Sequence, residues 1–479
     1  MNIFNRRSPL KLDRESILAC WLILLFGGWL LLNFWLGFNF PVYLVAAVFG
    51  LAVPLVYPRA GFYALTFLML VFTKFFTLQS LIINQQEYKF YLVDILFTAI
   101  LLGLVPRLAK GKLKLPWRWP DLTLLAFCFL TAVYFVLSVV SWEGSFALSF
   151  SSFKNYAFYP LFYFVAYLLL GDRQKIKIWL QFVLAGATAI IGFIIYGLIN
   201  GRGLWTEITP LSTIGSRILD FDHAFYLCLI FLFGFVYLLF RRGAATRWLF
   251  ALLPIWLVGI IGSLMRHLWL ALVLALVSLY LLLPAAKRAL ARQLVASYAV
   301  IMIMLAVLAI GAVNVLPFSN FSRTYHDTLN QLSSRAVSLA NPDDTSLAWR
   351  SAVWASVWEK YKNNIIGGLG FGQKVFIDMG DYRDYIEVRN AHNSFLAIFV
   401  QMGLLGFFLF ALFGAGVVAK LLRQPATPDR AVAKYSLLGI IIFCVAAFLF
   451  QPYLEANWFS IPFWLSLGLA KRTYEGFAG

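Results

Sequence analysis

The chain has 479 residues, of which 62% are hydrophobic and only 13% are charged. No soluble domain of this size stays in solution with such a composition, so the sequence predicts a polytopic membrane protein. The formal net charge of +18 could suggest a nucleic-acid partner, but most Lys and Arg residues lie in short segments between apolar runs. This distribution is the positive-inside signature of membrane proteins, and it argues against nucleic-acid binding.

Apolar runs of roughly bilayer-crossing length follow one another along the chain. We therefore predict an all-α fold with about fourteen transmembrane helices, near residues 16–37, 41–57, 61–84, 90–106, 120–141, 155–170, 178–199, 222–240, 248–263, 266–284, 297–317, 392–418, 434–451 and 455–470. Every second connecting segment is basic, which places both termini in the cytoplasm. All four cysteines lie inside apolar runs without a C-x-x-C pair, so neither a disulfide framework nor a zinc site is indicated.

The predicted spans fall into two groups around one long polar segment. Residues 1–317 hold the first eleven spans, residues 318–391 form a large insert on the outer side of the membrane, and residues 392–479 hold the last three. Within the insert, apolar residues recur at helical spacing from Ser346 to Lys362, which predicts an amphipathic helix on or near the membrane. The glycine run at 367–372 lacks the strand–helix frame of a nucleotide loop, so a hinge or close-packing turn is the preferred interpretation.

One histidine stands where the insert meets the next apolar run. Residues 389–396 read RNAHNSFL, so Asn390 is a candidate N-cap and His392 is expected in the first turn of a span. Unpaired N–H groups at a helix N-terminus carry partial positive charge, which favours a neutral imidazole able to accept a proton. A merely interfacial polar residue is an equally good interpretation of His392 when it is considered alone.

Three cationic residues are predicted near the same outer face. Arg217 precedes the eighth span and Arg266 occupies a tight turn before the tenth, and their planar forks suit bidentate phosphate binding. For either arginine alone, anchoring at the membrane interface is the commoner explanation. Lys74 falls inside the third span, where an ionisable group is by default functional or ion-paired. Asp94, near the outer end of the fourth span, is its expected partner.

Two acidic groups raise the question of a metal site. Asp220 and Asp222 form a D-x-D motif on the predicted outer face, but the nearby Arg217 makes ion pairing the preferred interpretation. A looser group is expected to be solvated loop charge: Asp378, Asp381 and Asp384. We therefore predict no metal ion and no cofactor.

In this order, the motifs resemble the O-antigen ligase and polymerase superfamily of bacterial membrane glycosyltransferases, over roughly residues 150–420. The sequence HNSFL from His392, followed by GLLG from Gly403, is similar to the family's H-N-x-x-L…G-x-x-G signature. Arg350, Trp354 and the glycine run at 367–372 resemble its R…W…G-x-G-x-G loop. The resemblance implies a GT-C-like membrane fold.

The resemblance also implies a reaction. Family members move a glycan from an undecaprenyl diphosphate carrier to an acceptor sugar outside the bacterial inner membrane, by a metal-independent, inverting displacement. The acceptor is another carrier-linked repeat for a polymerase, which the extra spans slightly favour here, or lipid A-core for a ligase. Arg217 and Arg266 look like the arginines that hold the donor diphosphate, and His392 looks like the catalytic base. Candidate supporting residues are Lys74, Arg350, Arg389, His223 and His267.

Two other classes of membrane protein remain open on the sequence. A polysaccharide flippase or transporter would also be basic, multi-span and able to bind a lipid diphosphate, although the chain shows no internal repeat and carries a single large insert. A purely structural membrane subunit is the third class, and Lys74 together with the clustered arginines weighs against it.

Overall fold

The computed structural model describes residues 13–204, 217–315, 320–338, 345–378, 383–428 and 430–476. The helices before residue 205 are α1 (Arg14–Leu36), α2 (Phe40–Val56), α3 (Pro58–Phe72), α4 (Lys74–Leu78), α5 (Leu92–Ala109), α6 (Trp119–Val140), α7 (Phe146–Phe153), α8 (Phe162–Leu169) and α9 (Arg173–Asn200). The later helices are α10 (Phe221–Phe240), α11 (Ala244–Gly262), α12 (Arg266–Leu282), α13 (Ala285–Val315), α14 (Asn320–Ser338), α15 (Thr345–Tyr361), α16 (Ser394–Arg423), α17 (Ala431–Phe448) and α18 (Asn457–Glu475). Two antiparallel hairpins complete the structure: β1 (Leu81–Ile83) with β2 (Gln86–Tyr88), and β3 (Lys374–Asp378) with β4 (Arg383–Glu387).

The helices pack into one bundle whose centre is formed by α10 and α17. In each of these two helices, 78% of the most apolar stretch is buried inside the protein. In α13 the buried share is 6%, so this helix is peripheral. Around this centre α12 packs on α17, α6 on α16, α8 on α18, and α3 on α1 and α9. The early helices α2 and α5 pack against each other and against α3.

The prediction of an all-α polytopic membrane protein is confirmed. Within the described ranges, nine helices are long and apolar enough to cross a membrane: α1, α5, α6, α9, α10, α11, α13, α16 and α17. Helices α2, α3 and α12 are apolar but shorter. The count of fourteen spans stays a prediction.

Two predicted spans are divided into separate helical segments in the structure. In the span predicted at 61–84, α3 ends at Phe72 and Thr73 has a φ of +48°, so the chain breaks before α4 and then turns into the β1–β2 hairpin. In the span predicted at 155–170, a π turn (Lys154–Phe158) and a 3-10 turn (Tyr159–Leu161) precede α8. Pro160 has no N–H to donate to the preceding helical turn, which explains an interruption there.

The insert is more structured than the sequence predicts, because it also contains α14 and the β3–β4 hairpin. Helix α15 corresponds to the predicted amphipathic helix. Its Val353, Val357 and Tyr361 are each 1% exposed and form a small second core with β3, the end of β4 and the first turns of α16. Trp354 and Trp358 remain 41% and 51% exposed. The more buried face of α15 therefore packs against other parts of this chain and not against the membrane.

The glycine run packs against a break in α16. At Gly403 the φ of +66° is not helical, so the helix cannot continue its own hydrogen bonds there. The N–H groups of Leu369 and Gly370 donate to the α16 carbonyls just before the break at 2.8 and 3.0 Å, and Leu404 donates to the carbonyl of Ile365 at 3.0 Å. The interpretation of the run as a close-packing turn is confirmed.

Candidate active site

His392 lies between β4 and the start of α16. The N-cap of α16 is Asn393, whose side chain accepts hydrogen bonds from the N–H groups of Phe395 and Leu396 at 2.9 and 3.0 Å. The prediction that Asn390 caps the helix and that His392 lies in its first turn is therefore wrong. The φ of His392 is +52°, a left-handed conformation that costs a non-glycine residue roughly 1–3 kcal/mol. Strain of this kind persists only where the surrounding structure fixes the residue, and it is frequent at active sites.

Aromatic residues of α15 hold the His392 loop. The ring of Trp349 meets the imidazole edge to face, with centroids 4.8 Å apart, and the Trp354 indole N–H donates to the carbonyl of Ala391 at 2.8 Å. Burial, and secondly the positive charge of Arg350, lower the pKa of His392 from 6.5 to about 4. The ring is neutral at pH 7 as the sequence predicts, but the causes are burial and Arg350 rather than a helix N-terminus.

Arg217 and Arg266 are brought close by a contact between their segments. The N–H of Ile218 donates to the carbonyl of Gly262 at 3.0 Å, which joins the segment just before α10 to the end of α11, next to the turn that leads to α12. That turn is three residues long and contains Leu264 at a φ of +58°, so the predicted tight turn is confirmed. Arg217 is 5% exposed, and Arg266, the first residue of α12, is partly exposed.

His267 marks the point where the site residues converge. Its ring interacts electrostatically with four of the predicted site residues: Arg217, Arg266, Arg350 and His392. Its Nε2 lies 2.6 Å from the hydroxyl of Tyr453. Three guanidinium groups and two imidazoles therefore share one end of the bundle. Fixed positive charge next to a neutral imidazole can hold an anionic leaving group beside a proton acceptor.

Lys74 forms a separate buried group with the D-x-D motif. Its Nζ lies 3.1 Å from the carboxylate of Asp220 and 4.0 Å from that of Asp222, and both aspartates are fully buried. The prediction that Asp94 pairs with Lys74 is wrong, because Asp94 pairs with Lys154 at 2.5 Å. The reason is the break at the end of α3, after which Lys74 lies against the start of α10. The D-x-D motif is thus ion-paired, as predicted, and Lys74 is a cation that pairs with it.

Two candidate supporting residues lie apart from the convergence around His267. The Nε2 of His223 is 2.8 Å from the carbonyl oxygen of Val71, so this fully buried ring joins α10 to α3. Arg389 donates to the Ser151 hydroxyl at 2.7 Å and pairs with Glu387 at 2.6 Å. His223 thus has a structural contact beside Lys74, and Arg389 connects the insert to α7.

The turn formed by residues 449–456, between α17 and α18, supplies contacts that sequence reasoning did not find. The side chain of Gln451 interacts with His392. The hydroxyl of Ser394 donates to the carbonyl of Gln451 at 2.9 Å and accepts from the N–H of Leu454 at 3.1 Å. The sequence does carry a signal for this turn, because three polar residues lie close together between two apolar runs: Gln451, Tyr453 and Glu455.

The acidic residues of the insert do not form a group in the described part of the chain. Asp378 pairs with Arg383 at 3.1 Å, whereas Asp381 lies outside the described residues. Among the residues that the structure describes, no three His, Cys, Asp or Glu side chains converge to ligate a metal ion. Independence from metal ions stays a prediction.

An apolar cavity of about 170 Å³ lies between α3, α9, α10, α17 and α18. Along α10 it extends from Tyr226, one helical turn after Asp222, to Tyr237, a rise of roughly 16 Å at 1.5 Å per residue. Its lining is mostly Leu, Ile, Val, Phe and Met side chains. The cavity therefore begins close to the buried Lys74 group and continues through the bundle.

The fold and the site define a polytopic membrane protein with a basic, histidine-containing site at one end of its helix bundle. Residues 249–411 match the family described as O-antigen ligase. The match covers about a third of the chain and supports the resemblance to the O-antigen ligase and polymerase superfamily that the motifs indicate. It includes Arg266, His267, Arg350, Arg389 and His392, and it leaves out Arg217 and the 449–456 turn. No curated protein matches the chain.

Proposed function

We propose that the protein is a membrane glycosyltransferase that transfers a glycan from an undecaprenyl diphosphate-linked donor to a sugar hydroxyl on the periplasmic face of the bacterial inner membrane. The observation that carries the proposal is the convergence of Arg217, Arg266, Arg350 and His392 around His267. The O-antigen ligase match over residues 249–411 supports the same class of enzyme.

Arg217, in the segment before α10, and Arg266, at the start of α12, hold the donor diphosphate. Guanidinium groups pair with phosphate oxygens through two parallel hydrogen bonds, and the contact between Ile218 and Gly262 keeps Arg217 and Arg266 at neighbouring positions. The apolar cavity along α10 has room inside the bundle for a segment of the carrier's isoprenoid chain.

The chemistry is a single displacement at the anomeric carbon. The oxygen of the acceptor hydroxyl forms the new glycosidic bond, the bond from the anomeric carbon to the phosphate oxygen breaks, and the carrier diphosphate departs with the electron pair. His392 takes the proton of the hydroxyl, and Arg217 and Arg266 stabilise the charge that develops on the departing phosphate. The displacement inverts the anomeric centre and needs no metal ion, because the fixed guanidinium charges stabilise the leaving group.

A polymerase is slightly preferred over a ligase, because the predicted number of spans exceeds that of a typical ligase. The surface glycan of a deletion strain distinguishes the two. Core carrying a single repeat is the result expected for a polymerase, whereas long polymer that is not linked to core identifies a ligase. Unchanged surface glycan, together with the absence of transfer by the purified protein, would overturn the proposal, and accumulation of carrier-linked glycan in the cytoplasmic leaflet would favour a flippase.

Orientation is tested with single cysteines in a cysteine-free background. Asn363→Cys, in the exposed turn after α15, is expected to react with an impermeant thiol reagent in intact spheroplasts. Lys112→Cys, in the exposed connection between α5 and α6, is expected to react only after the membrane is opened. The reverse pattern would put the site and both termini on the opposite sides from those proposed, and carrier-linked glycan would not meet the site.

A further inference from the structure

Glu455 is a carboxylate in the 449–456 turn that receives its hydrogen bonds from neutral side chains. The amide of Gln401 donates to one carboxylate oxygen at 2.7 Å, and Ser152 and Asn155 donate to the other at 3.2 and 3.4 Å. Asn155 also donates to the Glu455 carbonyl at 2.8 Å. Arg389 attracts the carboxylate electrostatically from the insert side. Glu455 is itself partly exposed.

The donors to Glu455 come from two places where helices are irregular. Ser152 lies in the last turn of α7, Asn155 and Tyr156 belong to the π turn, and Gln401 lies two residues before the break at Gly403. Inside a membrane protein, irregular backbone is tolerated where it is buried or lines a polar cavity, and π turns are frequent at functional sites. The helices that supply the donors to Glu455 are therefore irregular at both places.

A second observation is the hydroxyl of Tyr156. The side chain is fully buried, and its hydroxyl lies within interaction range of Glu455 and Gln401. Buried hydroxyl groups are normally paired, and here the neighbouring carboxylate of Glu455 and amide of Gln401 are the partners within reach. The hydroxyl of Tyr156 therefore belongs to the polar group around Glu455, and a ligand hydroxyl bound at this carboxylate would also meet it.

The position of Glu455 relates it directly to His392. Leu454, its neighbour in the turn, donates to the hydroxyl of Ser394, two residues after His392. Tyr453, on the other side of Leu454, contacts His267 and so belongs with the arginines. Within the 449–456 turn, Tyr453 therefore contacts His267 and Glu455 contacts Gln401. Between them, Leu454 contacts Ser394, next to the His392 loop.

We propose that Glu455, Gln401, Asn155 and Tyr156 form the acceptor-sugar subsite, in which the carboxylate accepts hydrogen bonds from ring hydroxyls next to the one that attacks. This inference rests on the proposed function, since it assigns the second substrate of the same site. A carboxylate surrounded by amide and hydroxyl groups suits a neutral, hydroxyl-rich pyranose, whereas the three arginines suit the anionic donor.

The test uses the full-length protein in nanodiscs. The donor is carrier-linked oligosaccharide extracted from the producing bacterium, and the acceptor is whichever of lipid A-core and mild-acid-released oligosaccharide the wild type uses. Glu455→Gln should raise the KM for the acceptor by about ten- to a hundredfold, as expected for weakened hydrogen bonds to a charged group. Tyr156→Phe, which removes only the hydroxyl, should raise it by about two- to tenfold. The KM for the donor should stay the same in both variants.

Glu359→Gln is the matched control, because Glu359 is an exposed carboxylate of the insert paired with Lys362. It should change neither KM. An unchanged acceptor KM in both Glu455→Gln and Tyr156→Phe overturns the subsite, and so does a loss of folded protein without a change in KM, which would mark a structural role. Tryptophan fluorescence with released oligosaccharide measures sugar binding without transfer. A wild type that binds this sugar through Glu455 but transfers nothing would contradict the proposed function and leave the subsite standing.

Discussion

Neutralising Arg350 should move the acid limb of the pH profile of glycan transfer. If His392 is the base, activity is lost when its imidazole is protonated, so kcat/KM falls as the pH falls through the pKa of the free enzyme. Burial and Arg350 together hold that pKa at about 4, with burial the larger cause. The wild type should therefore keep full activity at pH 7 and lose half of it near pH 4.

Arg350→Gln removes the smaller of these two causes and leaves the burial in place. We expect the midpoint of the acid limb to rise by about one pH unit, which corresponds to about 1.4 kcal/mol of interaction between the guanidinium and the imidazolium. Arg350→Lys keeps the positive charge and should leave the midpoint near that of the wild type. Both profiles are normalised to their own plateau, because either change can also weaken donor binding.

The assay is single-turnover transfer of carrier-linked glycan in nanodiscs between pH 3.5 and pH 8. In parallel, His392→Gln should transfer about a hundred- to ten-thousandfold more slowly, the contribution of a positioned general base, and its residual activity should lack this acid limb. The reasoning would be refuted by an Arg350→Gln midpoint equal to that of the wild type, or by a His392→Gln variant that keeps the limb.

Three further predictions concern other parts of the molecule. Arg217→Ala and Arg266→Ala should each lower kcat/KM by a factor that corresponds to about 3–4 kcal/mol, and Lys at either position should restore only part of the activity, whereas a chelator should not change it. Folded Ala variants with normal kinetics would show that both arginines only anchor the protein at the membrane interface. Lys74→Ala leaves two buried carboxylates without their cation and should destabilise the fold by about 3–5 kcal/mol, read as a lower thermal midpoint in detergent; an unchanged midpoint would contradict the ion-pair interpretation. Gly403→Ala should sharply reduce the yield of folded protein in fluorescence-detected chromatography, because a Cβ there would lie 2.0 Å from a backbone oxygen at a φ of +66°. Gly414→Ala is the control and should fold normally, because its Cβ would meet nothing within 4 Å.

The parts of the site that could be predicted are those written as local patterns. His392 stands at the boundary between polar and apolar sequence, and Arg217 and Arg266 stand at the ends of apolar runs, so composition and spacing identify all three. Their proximity to one another follows from the fold, which joins the segment just before α10 to the end of α11, next to the turn that leads to α12. The neutral state of His392 was predicted for the wrong reason, because burial by α15 is a long-range effect that a helix boundary does not reveal.

The parts that could not be predicted depend on where helices stop. The stretches 61–84 and 155–170 are apolar enough on average to be predicted as continuous spans, but a positive φ at Thr73 and a π turn interrupt the helices there. Because of the first break Lys74 pairs with Asp220 instead of Asp94. The second break turns polar side chains toward Glu455. Apolar content measures how deeply a segment is buried, and it carries little information about backbone conformation.

The break at Gly403 has a consequence for how the protein is made. Backbone groups of α16 near Gly403, roughly 14 Å along the helix from its start at 1.5 Å per residue, find their hydrogen-bond partners in the glycine run and at Ile365. Until those segments arrive, a newly inserted α16 would expose unpaired carbonyl and N–H groups to hydrocarbon, where no water can satisfy them. If the insert faces the periplasm, as proposed, it is synthesised and translocated before the helix that it completes. We expect biogenesis to couple export of the insert to insertion of α16, and a delay in the first step to leave the second helix exposed to membrane proteases.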